Sequence, residues 1–210
     1  MNKKKMNYSL YLCTDRQIDG NYTFLETVEQ AVQGGCSVVQ LREKDCSTRE
    51  FLKRAAGIKS VTEKYNIPLI INDRIDICMA VNADGVHLGQ EDFPIAEARR
   101  ILGEEKIIGA SAHNLKEALT AWREGADYLG VGAIFSTNTK KNTVNTSIST
   151  LREICSQVPI PIVAIGGISA DNIEQLRNSG ISGVAVVSAI MAEKEPKKAA
   201  EELLMKVRKV

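Results

Sequence analysis

The chain has 210 residues, with 27 Lys and Arg against 26 Asp and Glu and a formal net charge of +1 at pH 7. So even a balance excludes a global field that would gather nucleic acid or a membrane surface, and any anion site must be local. Cys13, Cys36, Cys46, Cys78 and Cys155 form no CxxC pair and no metal-ligand spacing, so they read as reduced thiols of a cytoplasmic protein rather than as staples.

Along the chain, the basic start at Lys3, Lys4 and Lys5 is followed by too short an apolar stretch for a signal peptide, and residues 1–7 are expected to form a disordered tail. No run approaches the ~18 apolar residues that span a bilayer. From there two kinds of segment alternate. Residues 8–13, 68–72, 106–111 and 159–167 are short Ile- and Val-rich strands ending in a polar residue or glycine. Residues 35–41, 83–89, 125–132 and 180–187 open on a small or polar cluster and run into an apolar strand. Between them lie apolar residues at helical spacing, such as Phe51, Ala55, Ile58 and Val61, or Leu115, Ala118, Leu119 and Trp122. Gly34, Gly125 and Gly180 fall where a left-handed cap would close a helix. Apolar strands without strict polar alternation, each followed by an amphipathic helix, predict parallel strands covered on both faces. Eight such units in one domain over residues 1–210 predict an α/β fold of the (β/α)8 TIM-barrel type rather than an open sheet.

The strand ends carry the candidate chemistry. After the second strand stands Gln-Leu-Arg-Glu-Lys (40–44). A period of two puts Gln40, Arg42 and Lys44 on one side and Val39 and Leu41 on the other, so that two cations converge on the barrel mouth. The third and fourth strands end in Asn-Asp-Arg (72–74) and Gly-Gln-Glu-Asp (89–92). Side by side, Asp73 and Asp92 repel unless a cation lies between them, and Mg2+ suits paired carboxylates supplemented by water and phosphate oxygens. Either acid would serve equally as the N-cap of the helix that follows it. The fifth strand ends at Ser111, with Asn114 as the N-cap of the next helix. His87, on a strand, reads as a packed residue, and His113, ahead of a helix, as an exposed one. Residues 134–146, with Thr137, Thr139, Lys140 and Lys141, read as a lid over a phosphate. Ile-Gly-Gly-Ile (165–168) and Val-Ser-Ala (187–189) close the last two strands, where this fold commonly receives phosphate on backbone N–H groups. The absence of a Walker loop, a GxSxG elbow and a GxGxxG fingerprint argues against NTPase and hydrolase-triad readings.

Taken together, these six motifs, with Thr-x-Thr-Lys (137–140) standing for the sixth strand, resemble the thiamine-phosphate synthase family from about residue 8 to the C-terminus. The resemblance implies a transferase that joins a pyrimidine diphosphate to a thiazole phosphate, or its carboxylated form, and releases pyrophosphate with Mg2+ as cofactor. By resemblance, Gln40, Leu41, Arg42, Glu43, Lys44, Asn72, Ser111 and Lys140 would hold the pyrimidine diphosphate, with Arg42, Lys44 and Lys140 catalytic. Asp73 and Asp92 would bind the metal, and Thr137, Asn138, Thr139, Gly167, Val187 and Ser188 the thiazole phosphate. The implied partners are these small molecules, with no nucleic acid, no membrane and no particular oligomeric state. Proline commonly flanks the strand-six loop in this family, where Ala133 and Ser136 stand here, which predicts a looser loop and touches the thiazole contacts. The alternatives are a related thiazole tautomerase, which needs no paired metal carboxylates, and a noncatalytic thiazole phosphate sensor. Asp73, Asp92 and Lys140 together favour the synthase.

Overall fold

Each apolar segment forms a strand, and in the computed structural model, which describes residues 6–18, 21–137 and 145–210, the strands close on themselves in chain order. They are β1 Leu10–Cys13, β2 Val38–Leu41, β3 Leu69–Asn72, β4 Gly85–Leu88, β5 Ile107–Ala112, β6 Tyr128–Val131, β7 Ile162–Ile165 and β8 Gly183–Val186. All neighbours are parallel, and the seam pairs Tyr11 with Ala185. The predicted (β/α)8 barrel is therefore the fold.

Period-two alternation sorts the strand residues into two cores. Leu10, Leu12, Val39, Leu41, Leu69 and Ile71 belong to the outer layer, packed with helix residues such as Val28, Phe51, Ala55 and Ile58. Tyr11, Cys13, Val38, Ile70, Tyr128 and Val163 fill the barrel interior. Since both faces are apolar, only the last inward residue of a strand is free to be polar, and Gln40, Asn72, His87 and Ser111 take those places.

The covering helices are α1 Phe24–Gln33, α2 Thr48–Lys64, α3 Ile75–Ala80, α4 Ile95–Leu102, α5 Leu115–Arg123, α6 Ile148–Gln157, α7 Ser188–Met191 and α8 Pro196–Val207. Side-chain oxygens of Thr23, Ser47, Asn114 and Ser147 cap α1, α2, α5 and α6, the Asn114 cap as predicted. Between β7 and β8 the chain makes only a 3-10 turn, Ile173–Leu176, because Asn178 (φ 58°) and Gly180 (φ 84°) reverse it at once. The expected left-handed caps are found at Gly125 (φ 100°) and Gly180, but Gly34 is right-handed and its successor Gly35 (φ 102°) makes the turn. Gly34 is needed for a different reason: a Cβ there would lie 2.3 Å from the Lys197 carbonyl, where α8 crosses α1. Of the expected tail, residues 1–5 lie outside the described residues, whereas the Asn7 side chain accepts from the Ser9 N–H at 2.9 Å.

At the foot of the barrel a polar residue just ahead of an even strand bonds to the backbone of the odd strand before it. Ser37 Oγ accepts from Leu10 N–H, Asp84 Oδ2 from Leu69 N–H at 2.9 Å, and Asp127 Oδ2 from Ile108 N–H at 2.8 Å. Lys59 and Arg99 neutralise the two acids. No helix among the described residues is long and apolar enough to cross a membrane, and all five cysteines are free.

Candidate active site

The upper half of the barrel interior opens at the C-terminal ends of the strands into a cavity of about 180 Å3. Gln40, Arg42, Lys44 and Asn72 line it, as do Asp73, Asp92 and Ser111. On the opposite wall stand Thr137, Gly167, Val187 and Ser188. The structure thus brings to one cavity every predicted site residue that it describes, except two. Leu41 packs outward against the helices. Glu43 also faces away: its side chain is 2% exposed and binds Arg54 Nη1 at 2.6 Å and Arg16 Nε at 3.4 Å. Asn138, Thr139 and Lys140, with most of the predicted lid, lie outside the described residues.

The strand-two end is held from below. Thr14 Oγ1 accepts from the Arg42 N–H at 3.1 Å, and Thr14 N–H donates to the Gln40 carbonyl at 2.9 Å. Arg42 and Lys44 thereby keep to the cavity side, and Lys44 Nζ stands 2.5 Å from Asp73 Oδ2. Asp73 is reached by a backbone turn in the left-handed region (φ 62°), which an Asp adopts more readily than most residues, and its N–H donates to the His87 carbonyl at 2.9 Å. On the neighbouring strand Asp92 closes a tight turn by accepting from the Gly89 N–H at 2.7 Å. Neither acid caps a helix: the caps of α3 and α4 are Arg74 and Pro94, neither of which makes a side-chain capping bond.

Asp73 and Asp92 come within hydrogen-bonding reach of each other, and burial first, then this contact, hold the Asp73 carboxyl above its ordinary range, although Lys44 opposes the shift. Two hard-oxygen donors pressed together at a cavity wall beside a lysine suit Mg2+, which needs only one or two carboxylates when water and phosphate oxygens complete its shell. Among the described residues no group of three or more His, Cys, Asp or Glu gathers as a metal cage.

Glycine shapes the far wall. Gly166 (φ 100°) and Gly167 (φ 63°) follow β7, and a Cβ on either would lie 2.5 Å from Ala133 or 2.4 Å from the Ser136 carbonyl. That close approach lets Ile134 N–H and Phe135 N–H bond to the carbonyls of Ile165 and Gly166, anchoring the first foot of the strand-six loop. Its second foot is tied by Thr146, whose N–H donates to the Ala133 carbonyl at 2.8 Å. The Gly132–Ala133 peptide is cis.

Several cavity residues were not singled out by the sequence. His113 is not the exposed residue expected: its side chain is 22% exposed and lines the mouth, its Nδ1 2.8 Å from Glu117 Oε2. The i, i+4 spacing of a His and a Glu across a helix start was the available signal. Lining the same cavity, Tyr11 and Tyr128 bond to each other at 2.7 Å, and His87 joins Tyr128 to Ser111. Burial raises both tyrosine hydroxyls well above their ordinary range and the Cys13 thiol to about 12, so all three stay protonated.

A closed parallel barrel with a cavity at its C-terminal mouth, lined by cations, paired acids and glycines, is the architecture in which enzymes of this fold place their active sites. Known proteins make this specific. The sequence pattern of the thiamine monophosphate synthase family matches residues 10–190. A thiamine-phosphate synthase of Ruminiclostridium cellulolyticum is 55% identical over 96% of both chains, and one of Clostridium tetani is 53% identical over 97% of both. A thiamine phosphate pyrophosphorylase structure from Pyrococcus furiosus superimposes with a TM-score of 0.88 at 40% identity, covering 97% of this chain and 96% of that one. The chain belongs to the thiamine monophosphate synthase family and is a transferase of that kind.

Proposed function

We propose that this cytoplasmic enzyme makes thiamine phosphate by a dissociative route, from a hydroxymethylpyrimidine diphosphate and a thiazole phosphate or its carboxylated form. The carbon–oxygen bond to the diphosphate breaks first, its electron pair leaving on pyrophosphate. The resulting pyrimidine-stabilised methylene cation is trapped by the lone pair of the thiazole nitrogen, so no protein nucleophile or base is required; with the carboxylated thiazole the carboxyl group also leaves, as CO2, and a solvent proton takes its place. Arg42 and Lys44 face the departing charge, and by the family resemblance Lys140 joins them. Gln40, Asn72 and Ser111 orient the pyrimidine, while Thr137, Gly167, Val187 and Ser188, with Asn138 and Thr139 by resemblance, receive the thiazole phosphate. Mg2+ held by Asp73 and Asp92 would add Lewis-acid stabilisation of the leaving group.

The observation that carries this reading is the cluster of Lys44, Asp73 and Asp92 on the same cavity wall as Arg42. A tautomerase would not need it. The test is to incubate the protein with both heterocycles, with and without Mg2+, and to look for thiamine phosphate by mass and for released pyrophosphate. Product dependent on Mg2+ is expected, and no product in either condition overturns the proposal. Lys140→Ala is expected to lower turnover more than it weakens thiazole binding, and unchanged steady-state turnover would remove Lys140 from the leaving-group role.

A further inference from the structure

The interior of the barrel holds a continuous chain of polar contacts that no step above uses. Gln40 Nε2 donates to Tyr11 Oη at 2.8 Å, and Tyr11 Oη and Tyr128 Oη lie 2.7 Å apart. Tyr128 Oη lies 2.9 Å from His87 Nδ1, and His87 Nε2 lies 3.0 Å from Ser111 Oγ. The chain crosses the barrel from β2 through β1, β6 and β4 to β5, and all five side chains line the cavity, with Gln40 and Ser111 at the two ends of the chain. The geometry points to a directional relay in which Tyr11, Tyr128 and His87 act as positioning residues that fix the hydrogen-bonding sense of Gln40 and Ser111. This rests on the proposed roles of those two residues in holding the pyrimidine substrate.

Proton counting gives the direction. Each tyrosine has one hydrogen to donate, a neutral imidazole has one N–H and one bare nitrogen, and a buried donor without an acceptor is costly. Because Gln40 Nε2 already donates to Tyr11 Oη, the Tyr11 hydrogen goes to Tyr128 Oη. The Tyr128 hydrogen then goes to His87 Nδ1, which must be bare. His87 therefore carries its proton on Nε2 and donates it to Ser111 Oγ, which frees the Ser111 hydrogen for the cavity. One of the two Gln40 amide hydrogens is committed to Tyr11, which fixes the sense of the amide and turns Oε1 away from Tyr11. One wall thus offers an acceptor, suited to an exocyclic amino group, and the adjoining wall a donor, suited to a ring nitrogen or an anion. Sending the Tyr128 hydrogen toward Tyr11 instead would strand the Tyr11 hydrogen, and a fully reversed chain would require the Gln40 amide to be turned over. The rings are fixed as well as the protons: Tyr128 packs against His87 with centroids 5.5 Å apart and against Tyr8 at 4.9 Å, so neither partner can swing away without repacking the interior.

The test reads the His87 tautomer directly, by two-bond 1H–15N correlation of the imidazole in the substrate-free protein, with the two histidines distinguished by a His113→Gln variant. The proton is expected on Nε2, and a proton on Nδ1 overturns the inference whatever the enzyme's activity. In Tyr11→Phe the His87 pattern should persist, because Tyr128 still donates to it, while the KM for the pyrimidine diphosphate rises roughly tenfold with kcat and the thiazole KM little changed. In Tyr128→Phe the pattern should become a mixture of tautomers, and an unaltered pattern in a folded variant counts against the relay. Should Tyr128→Phe fail to fold, the wild-type tautomer decides the matter alone. A protein with the predicted tautomer that makes no thiamine phosphate would sink the proposed function and leave the relay standing.

Discussion

Glu43 is a buried carboxylate whose two guanidinium contacts both fall on Oε2, and removing the nearer partner tests how much that burial matters. Arg54→Ala deletes the 2.6 Å contact and leaves only Arg16, at 3.4 Å and with a side chain 43% exposed. Breaking a fully buried pair from one side costs about 3–5 kcal/mol, because the remaining charge is left uncompensated. Arg16 still supplies part of the field, and the Arg54 side chain is itself 23% exposed, so screening lowers the expected loss to roughly 2–3 kcal/mol. For a chain of this size that corresponds to a fall in Tm of roughly 4–12 °C. Urea unfolding followed by circular dichroism would measure it. Glu43→Gln, which keeps the shape and a neutral acceptor, should cost less, about 1–2 kcal/mol. Because Arg42 and Lys44 flank Glu43 in the turn after β2, Arg54→Ala should also raise the KM for the pyrimidine diphosphate. A loss within about 0.5 kcal/mol of zero, the range of an ordinary surface substitution, would refute the idea that Glu43 depends on its guanidinium partners.

Asn114→Ala removes the side-chain cap of α5, whose Oδ1 accepts from Glu117 N–H at 3.0 Å, and should cost about 1 kcal/mol in thermal unfolding. Gly109→Ala places a Cβ 2.2 Å from Tyr128 Cζ, so thermal unfolding should report about 1–3 kcal/mol of overpacking and the His87 signals should shift with the displaced ring. Mg2+ affinity, measured by calorimetry, should fall as the pH drops, and should begin to fall at a higher pH than at a site of ordinary aspartates. Burial and the Asp92 contact raise the Asp73 carboxyl, so protons compete with the metal at a higher pH than for an ordinary aspartate. In the metal-free protein the same shift makes Asp73 favour folding when protonated, a contribution lost as the pH rises through its folded pKa.

The strands were readable because each is an apolar run bounded by turn residues, and the polar site residues because period-two alternation holds to the end of a strand. Gln40 obeys that rule inside β2, and Arg42 and Lys44 still do just beyond it. Their neighbours were harder. Glu43 carries the charge that a site residue would carry, although the same alternation puts it on the outer side with Leu41, where Arg54 from α2 binds it. The directions of Tyr11 and Tyr128 were hidden because strands covered on both faces give no polar contrast to mark the inside of the barrel. His113 looked like loop surface until Glu117 drew it to the mouth. The single turn between β7 and β8 could not be told from a helix, since Ile173 and Leu176 are spaced as helix residues and only the reversal at Asn178 ends it.

The stitches at the foot of the barrel have a consequence for what this scaffold can become. Ser37, Asp84 and Asp127 join strand to strand on the side away from the cavity, so the loops above carry less of the duty of keeping the sheet in register. Those loops could be exchanged, lengthened or re-sequenced toward a different pair of ligands while the underside is left intact, and repertoire could change at one rim without eroding persistence at the other.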